Sequence, residues 1–202
     1  MKLFGHPAST CTRKVLFTLH ETNTPYTLEL VDFAKGEHKA PAHMARQPFG
    51  QLPAFDDNGF ALYESRAMAR YIDAKAGYKV TPQDLQTRAV MEQFISVETS
   101  NFTPHAMKFI YHHTFGRAQT PEVLEAAGKM LDTCYGVLDK QVATRTFLAG
   151  DHLSIADICF APYIEYMAGS PAKDILAGHK HAQAWWTRVS ERPAWLKTVG
   201  RA

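Results

Sequence analysis

Cysteine is scarce in this chain. Its three cysteines, Cys11, Cys134 and Cys159, are odd in number, well separated and without CxxC spacing. That excludes a disulfide framework and gives no zinc signature, so they read as reduced thiols and no metal is expected. A surplus of one charge is also missing: 22 Lys plus Arg against 20 Asp plus Glu leave a net charge of only +2. A dedicated nucleic-acid binder concentrates basic charge, so a small or uncharged partner is expected instead. No window approaches the roughly 18 consecutive apolar residues that span a bilayer. The start, MKLFGHPAST, lacks the basic stretch and apolar run of a secretion signal. The expectation is a soluble, cytoplasmic protein without a membrane partner. Repeats and low-complexity tracts are absent, and 46% hydrophobic with 21% charged residues is ordinary globular composition with material for a buried core.

What is present falls into two rhythms. KLFG (2–5) is a short apolar strand, and VLFTLHE (15–21) has the apolar spacing of a helix packed on a sheet. YTLELVDF (26–33) alternates as a strand does, just after the helix-ending Thr24-Pro25. A helical piece near Pro41–Arg46 leads to QLPAF (51–55), then Asp57-Asn58-Gly59, then FALY (60–63), which is a hairpin pattern. SRAMARYIDAK closes the unit with Ala67, Met68, Tyr71 and Ile72 at helical spacing. The order βαβαββα predicts an α/β, thioredoxin-like domain over residues 1–76, built on a mixed four-stranded sheet with helices on both faces. AGYKVTPQ reads as linker, set at 77–84, and residues 85–202 show only helical periodicity, predicting an all-α bundle. Within it Ser154 and Asp157 have capping-box spacing, which starts a helix at Ser154, and Arg192-Pro193-Ala194-Trp195 predicts a last short helix.

Four segments of the first domain carry chemistry. Pro53 stands at a strand start, where its missing N–H does least harm, and Leu52 before it can offer backbone N–H and C=O groups to a short extended peptide. Glu64-Ser65 directly precedes a helix, where a hydroxyl and unpaired N–H groups bind a carboxylate; Ser65 merely capping its own helix is the alternative. His38-Lys39 suits a second carboxylate or decorates a solvated loop. The segment HPASTCTRKV (6–15) sets Ser9, Thr10, Cys11 and Thr12 between the first strand and the first helix, where the helix dipole favours a thiolate and where a hydroxyl equally serves as an N-cap.

GHPASTCTRKVL, GEHK, PFGQLPAF and LYESRAMARYI, in this order and spacing, together with LAGDHLSIADICFAP, resemble the phi-class, serine-type glutathione S-transferases familiar from plants. The resemblance is dense over residues 1–75 and extends to the core of the helical domain. It implies glutathione as co-substrate, with the thiolate attacking a small hydrophobic electrophile, and a detoxifying homodimer. By position, Ser9 matches the serine that hydrogen-bonds the glutathione sulfur. Gln51 and Leu52 match the contacts to the tripeptide backbone beside the family's cis proline, here Pro53. Glu64 and Ser65 match the pair at the γ-glutamyl end, and His38 and Lys39 the pair near the glycine carboxylate. Ala8, Phe33, Tyr111 and Phe115 correspond to the electrophile site, while Asp157 matches the family's helix-capping acid.

Two other functions stay open on the same residues. Cys11 lies two positions after Ser9, and a cysteine in this loop supports thiol transfer or peroxidase chemistry in other branches of the superfamily. A non-catalytic carrier of hydrophobic ligands keeps the same fold.

Overall fold

Leu3 and Phe4 point to opposite faces of one strand, β1 (Lys2–Gly5), and this alternation organises the first of two units. The computed structural model describes residues 1–201. One unit comprises Met1–Thr81 with the segment from Pro193 onward, and the other Pro82–Arg192.

In the first unit, α1 (Thr10–Thr22) follows β1 and ends where Asn23 takes a left-handed conformation, φ 53°, and returns its N–H to the carbonyls of His20 and Leu19. Next come β2 (Thr27–Leu30), a single 3₁₀ turn (Glu37–Lys39), the one-turn α2 (Pro41–Met44), β3 (Ala54–Asp57), β4 (Phe60–Tyr63) and α3 (Ser65–Lys75). The strands lie in the order β2-β1-β3-β4, with β2 parallel to β1 and the other pairs antiparallel. This is the thioredoxin-like α/β domain with a mixed four-stranded sheet. Asp57 faces Phe60 across a two-residue turn in which Asn58 and Gly59 both have positive φ, the backbone that a tight hairpin requires.

The core of this unit is Leu3, Val15, Leu16, Leu19, Phe55, Met68 and Ile72, where α1 and α3 pack together over one face of the sheet. Each such side chain contributes about 1.5–3 kcal/mol on full burial. On the other face the Arg46 guanidinium, just past α2, lies 4.2 Å from the Phe4 ring centre.

The second unit holds α4 (Leu85–Val97), a π turn (Glu98–Phe102), α5 (Thr103–His113), α6 (Pro121–Val142), α7 (Ile155–Ala168), α8 (Lys173–Ala177) and α9 (Lys180–Ser190). Ten consecutive residues of α7, Ile155 to Ile164, are buried, so this helix is apolar all round and forms the centre of the bundle. Ser154 caps it reciprocally with Asp157. Both oxygens of the buried Asp157 carboxylate are used: they accept from Ser154 N–H, Ser154 Oγ, Leu148 N–H and the Trp185 indole.

The sequence assigns residues 85–202 to the helical bundle, whereas the last helix, α10 (Pro193–Thr198), belongs to the first unit. Trp195 is fully buried with its ring 5.0 Å from Phe17 of α1. Periodicity shows that a segment is helical; it carries no information about which partner that helix buries its apolar face against.

Candidate active site at one end of the sheet

The register of the sheet gathers the chemistry-bearing loops. Gly5 ends β1 opposite Leu30, which ends the parallel β2. Ala54 begins the antiparallel β3 beside Phe4, and Tyr63 ends β4 beside Ala54. The loop carrying Ala8 and Ser9, the segment carrying Phe33, the Gln51-Leu52-Pro53 segment and the Glu64-Ser65 junction therefore all leave the sheet at the same end. Gly5 lets the chain pass closely there: a Cβ would stand 2.8 Å from the Thr12 side chain, which would have to shift, and 3.4 Å from Pro53 Cβ.

Ser9 is the N-cap of α1. The loop before it is closed by Ser9 N–H donating to His6 O at 2.8 Å and Ala8 N–H donating to His6 Nδ1 at 3.1 Å. Ser9 Oγ accepts the Thr12 N–H at 3.2 Å. Its own hydroxyl proton has no acceptor among the described residues, and neither do the Thr10 and Cys11 N–H groups of the first helical turn. Three donors thus remain at the positive end of a 13-residue helix, an arrangement that stabilises an anion. Cys11 is half-buried as the second residue of that helix, while Cys134 and Cys159 are buried.

Leu52 and Pro53 are buried and joined by a cis peptide, and Gln51 beside them is exposed. The Leu52 N–H has no partner among the described residues. Gly50, in the loop just before Gln51, has φ 59°, and a Cβ on it would lie 2.7 Å from the Lys39 side chain and 2.8 Å from Met44 Sδ.

Glu64, not Ser65, is the N-cap of α3; its backbone is held at φ 71°, ψ 103°, and its side chain caps nothing. Ser65 is the first helical residue, buried, with no hydroxyl partner among the described residues. The local alternative in which Ser65 caps its own helix therefore does not hold, and its hydroxyl is free for a ligand. A non-glycine residue at positive φ costs free energy and persists only where its surroundings enforce it, a form of strain that concentrates at functional sites.

Lys39 Nζ donates to Phe49 O at 2.9 Å, which uses one of its three protons and ties the 3₁₀ turn to the loop before Gly50. The His38 ring packs 4.9 Å from Phe33, which in turn sits 6.1 Å from the His6 ring. Phe33 is 44% exposed, so the aromatic cluster ends in an open apolar face.

Of the four residues matched to an electrophile site, Ala8 and Phe33 lie in the first unit and Tyr111 and Phe115 in the second. Tyr111 and Phe115 have ring centres 6.4 Å apart, the Arg117 guanidinium lies 4.9 Å from the Tyr111 ring, and Phe115 lies 5.7 Å from Tyr166. Arg117 and Tyr166, which contact these rings, carry no motif in the sequence. Neither does His43, whose Nε2 stands 2.7 Å from Gln51 O.

Comparison with known proteins gives the same answer from both halves. Residues 1–74 match the family model described as glutathione S-transferase, N-terminal domain, and residues 101–193 the model described as glutathione S-transferase, C-terminal domain. Glutathione S-transferase F6 of Arabidopsis thaliana is 32% identical over 208 residues, covering 98% of this chain and 99% of its own length. The crystal structure of glutathione transferase F7 from Populus trichocarpa is similar with a TM-score of 0.94 and 32% identity, covering 99% of this chain and 98% of that one. Glutathione S-transferase I from maize, solved in complex with an atrazine glutathione conjugate, has a TM-score of 0.91 at 28% identity, covering 99% of this chain and 96% of that one.

Proposed function

The chain belongs to the glutathione S-transferase family, with phi-class-like motifs, and from that premise we propose that it joins the glutathione thiolate to hydrophobic electrophiles, the thiolate being stabilised by Ser9. The observation that carries this reading is the free hydroxyl proton of Ser9 at the N-terminus of α1. A thiol of pKa about 8.5 is only a few per cent ionised at pH 7, and the thiolate is the nucleophile. Lowering that pKa by about two units requires roughly 2.7 kcal/mol of preference for the anion. One charge-assisted hydroxyl donor and a helix N-terminus supply energies of this order.

The rest of the tripeptide is held by its polar ends. Leu52 pairs with the peptide backbone of glutathione as an added strand does, using the N–H that has no partner among the described residues. Glu64 and Ser65 take the γ-glutamyl end, His38 and Lys39 the glycine carboxylate. The electrophile contacts implied by the resemblance are Ala8 and Phe33 in the first unit and Tyr111 and Phe115 in the second; none of them carries a charge, as suits a permissive site for apolar electrophiles. The atrazine conjugate bound by the maize relative is of that chemical kind. The active species is a homodimer, with α3 and α4 forming much of the contact.

The test is conjugation of glutathione to a panel of aryl halides, epoxides and enones, with the thiolate absorbance of the glutathione complex titrated against pH. Turnover together with a thiolate that persists well below the pH at which free glutathione protonates supports the reading. Glutathione binding without turnover of any electrophile points to a carrier, and turnover that depends on Cys11 points to thiol transfer. Sedimentation at the 22.6 kDa of a single chain, independent of concentration, overturns the homodimer.

A further inference from the structure

We propose that His43 is a positioning residue for glutathione: its hydrogen bond to the Gln51 carbonyl turns the Gln51–Leu52 peptide so that the Leu52 N–H is presented to the ligand. The proposal rests on the reading above in which Leu52 pairs with the tripeptide.

His43 is the third residue of α2 and is only 4% exposed. Its backbone is anchored on both sides, donating to Ala40 O at 3.0 Å and accepting from Arg46 N–H at 2.8 Å and Gln47 N–H at 2.9 Å. The ring thus projects from a fixed point, and Nε2 meets Gln51 O at 2.7 Å. A carbonyl only accepts, so the ring nitrogen that faces it, Nε2, carries a proton and is the donor. The other ring nitrogen, Nδ1, is buried and has no partner among the described residues. A histidine kept for packing alone leaves both nitrogens indifferent; here one nitrogen is orphaned while the other makes a short, directed bond.

The consequence follows from peptide geometry. The C=O of Gln51 and the N–H of Leu52 belong to one planar trans peptide and point in opposite directions. Drawing the carbonyl toward α2 therefore turns the N–H away from α2. No other group among the described residues takes that N–H, so the plane is set from one side only, by His43, until a ligand arrives. Without that bond the peptide is free to rotate, and an added strand loses an aligned donor. Such a loss falls equally on bound substrate and transition state, which raises KM and leaves kcat nearly unchanged.

The experiment compares wild type with His43→Leu, His43→Gln and His43→Asn, measuring steady-state kinetics at saturating electrophile and glutathione binding by calorimetry. A Gln side chain reaches the Nε2 position with an N–H donor, and an Asn side chain does not. Expected are a rise of about tenfold in KM and Kd for glutathione in His43→Leu and His43→Asn, kcat within about threefold, and near-complete recovery in His43→Gln, as fits one directed hydrogen bond. Equal KM in the Gln and Asn variants, or an unchanged KM in a folded Leu variant, overturns the proposal. Imidazole nitrogen shifts in the unmodified protein give a second reading that no folding defect can disturb, because a His43 ring protonated on Nδ1 rather than Nε2 also overturns it. Failure of the wild-type protein to bind glutathione at all would instead remove the functional reading on which the proposal rests.

Discussion

Ser9 Oγ accepts the Thr12 N–H at 3.2 Å, and its own proton has no acceptor among the described residues. One hydroxyl thus serves two ends, capping α1 with its lone pair and facing the proposed sulfur site with its hydrogen. An oxygen already accepting a hydrogen bond is polarised into a better donor, so the cap and the chemistry reinforce each other.

Ser9→Ala removes both roles. Folding stability should fall by about 1 kcal/mol through the lost cap, and conjugation by roughly 10- to 150-fold near neutral pH, the equivalent of about 1.5–3 kcal/mol for a charge-assisted donor. Glutathione affinity should persist, since the two carboxylates and the backbone keep their contacts. In the thiolate titration the bound anion should disappear at higher pH in Ser9→Ala than in wild type, because its pKa moves back toward that of the free thiol. Ser9→Asp separates the roles: it restores the acceptor for Thr12 but repels the thiolate, so stability recovers while the rate does not. An unmoved titration with an unchanged rate would take Ser9 out of the mechanism.

Asp157 is a folding element. Burial pushes its carboxyl pKa upward, and the donors from Leu148, Ser154 and Trp185 oppose that shift. Asp157→Ala strands those donors in the core of the second unit, so unfolding free energy should drop by more than about 3 kcal/mol in chemical denaturation. Activity per folded molecule should stay near wild type. A loss of kcat without a loss of stability would contradict this assignment.

His20 ties α10 to α1. Its Nδ1 meets Thr198 Oγ1 at 2.9 Å and Ala194 O at 3.3 Å, and its Nε2 meets Tyr26 Oη at 2.8 Å. Burial, aided by the charge of Lys197, lowers its pKa below the usual 6.5. The unfolded chain therefore binds the proton more readily than the folded one. Stability from this group is present in full above pH 6.5 and is lost as the pH falls toward the folded-state pKa. Melting temperature followed between pH 7.5 and 5 should decline less steeply in His20→Gln than in wild type; parallel curves would rule His20 out as a source of the acid sensitivity.

Cys11 sits inside the first turn of α1, half-buried, two residues past the cap. Cys11→Ala should leave conjugation within about twofold, since the thiol is given no part in a Ser9-based mechanism. Intact-mass analysis after incubation with oxidised glutathione should show no adduct on this residue. Conjugation that vanished with Cys11, while glutathione binding survived, would reassign the chemistry to thiol transfer.

The α/β plan, the change of rhythm near residue 80 and the family were legible because their signals are local or lie in short motifs. SRAMARYIDAK is α3 over its whole length, the Asn58-Gly59 turn closes the hairpin, and Ser154 with Asp157 forms the expected capping box. Each depends on residues within about four positions of one another, the range over which helical spacing, caps and turns act. What only the tertiary structure decided lies at longer range. The sheet register brought the four loops to one end, and the packing of Trp195 on Phe17 moved the last helix into the first unit. The positive φ of Glu64 made it, rather than Ser65, the N-cap. Across eight positions, the His43 ring met the Gln51 carbonyl before Leu52. A propensity or a motif records what a residue prefers beside its neighbours in sequence. Which buried donor meets which carbonyl is settled when apolar faces pack and every polar group enclosed with them must find a partner.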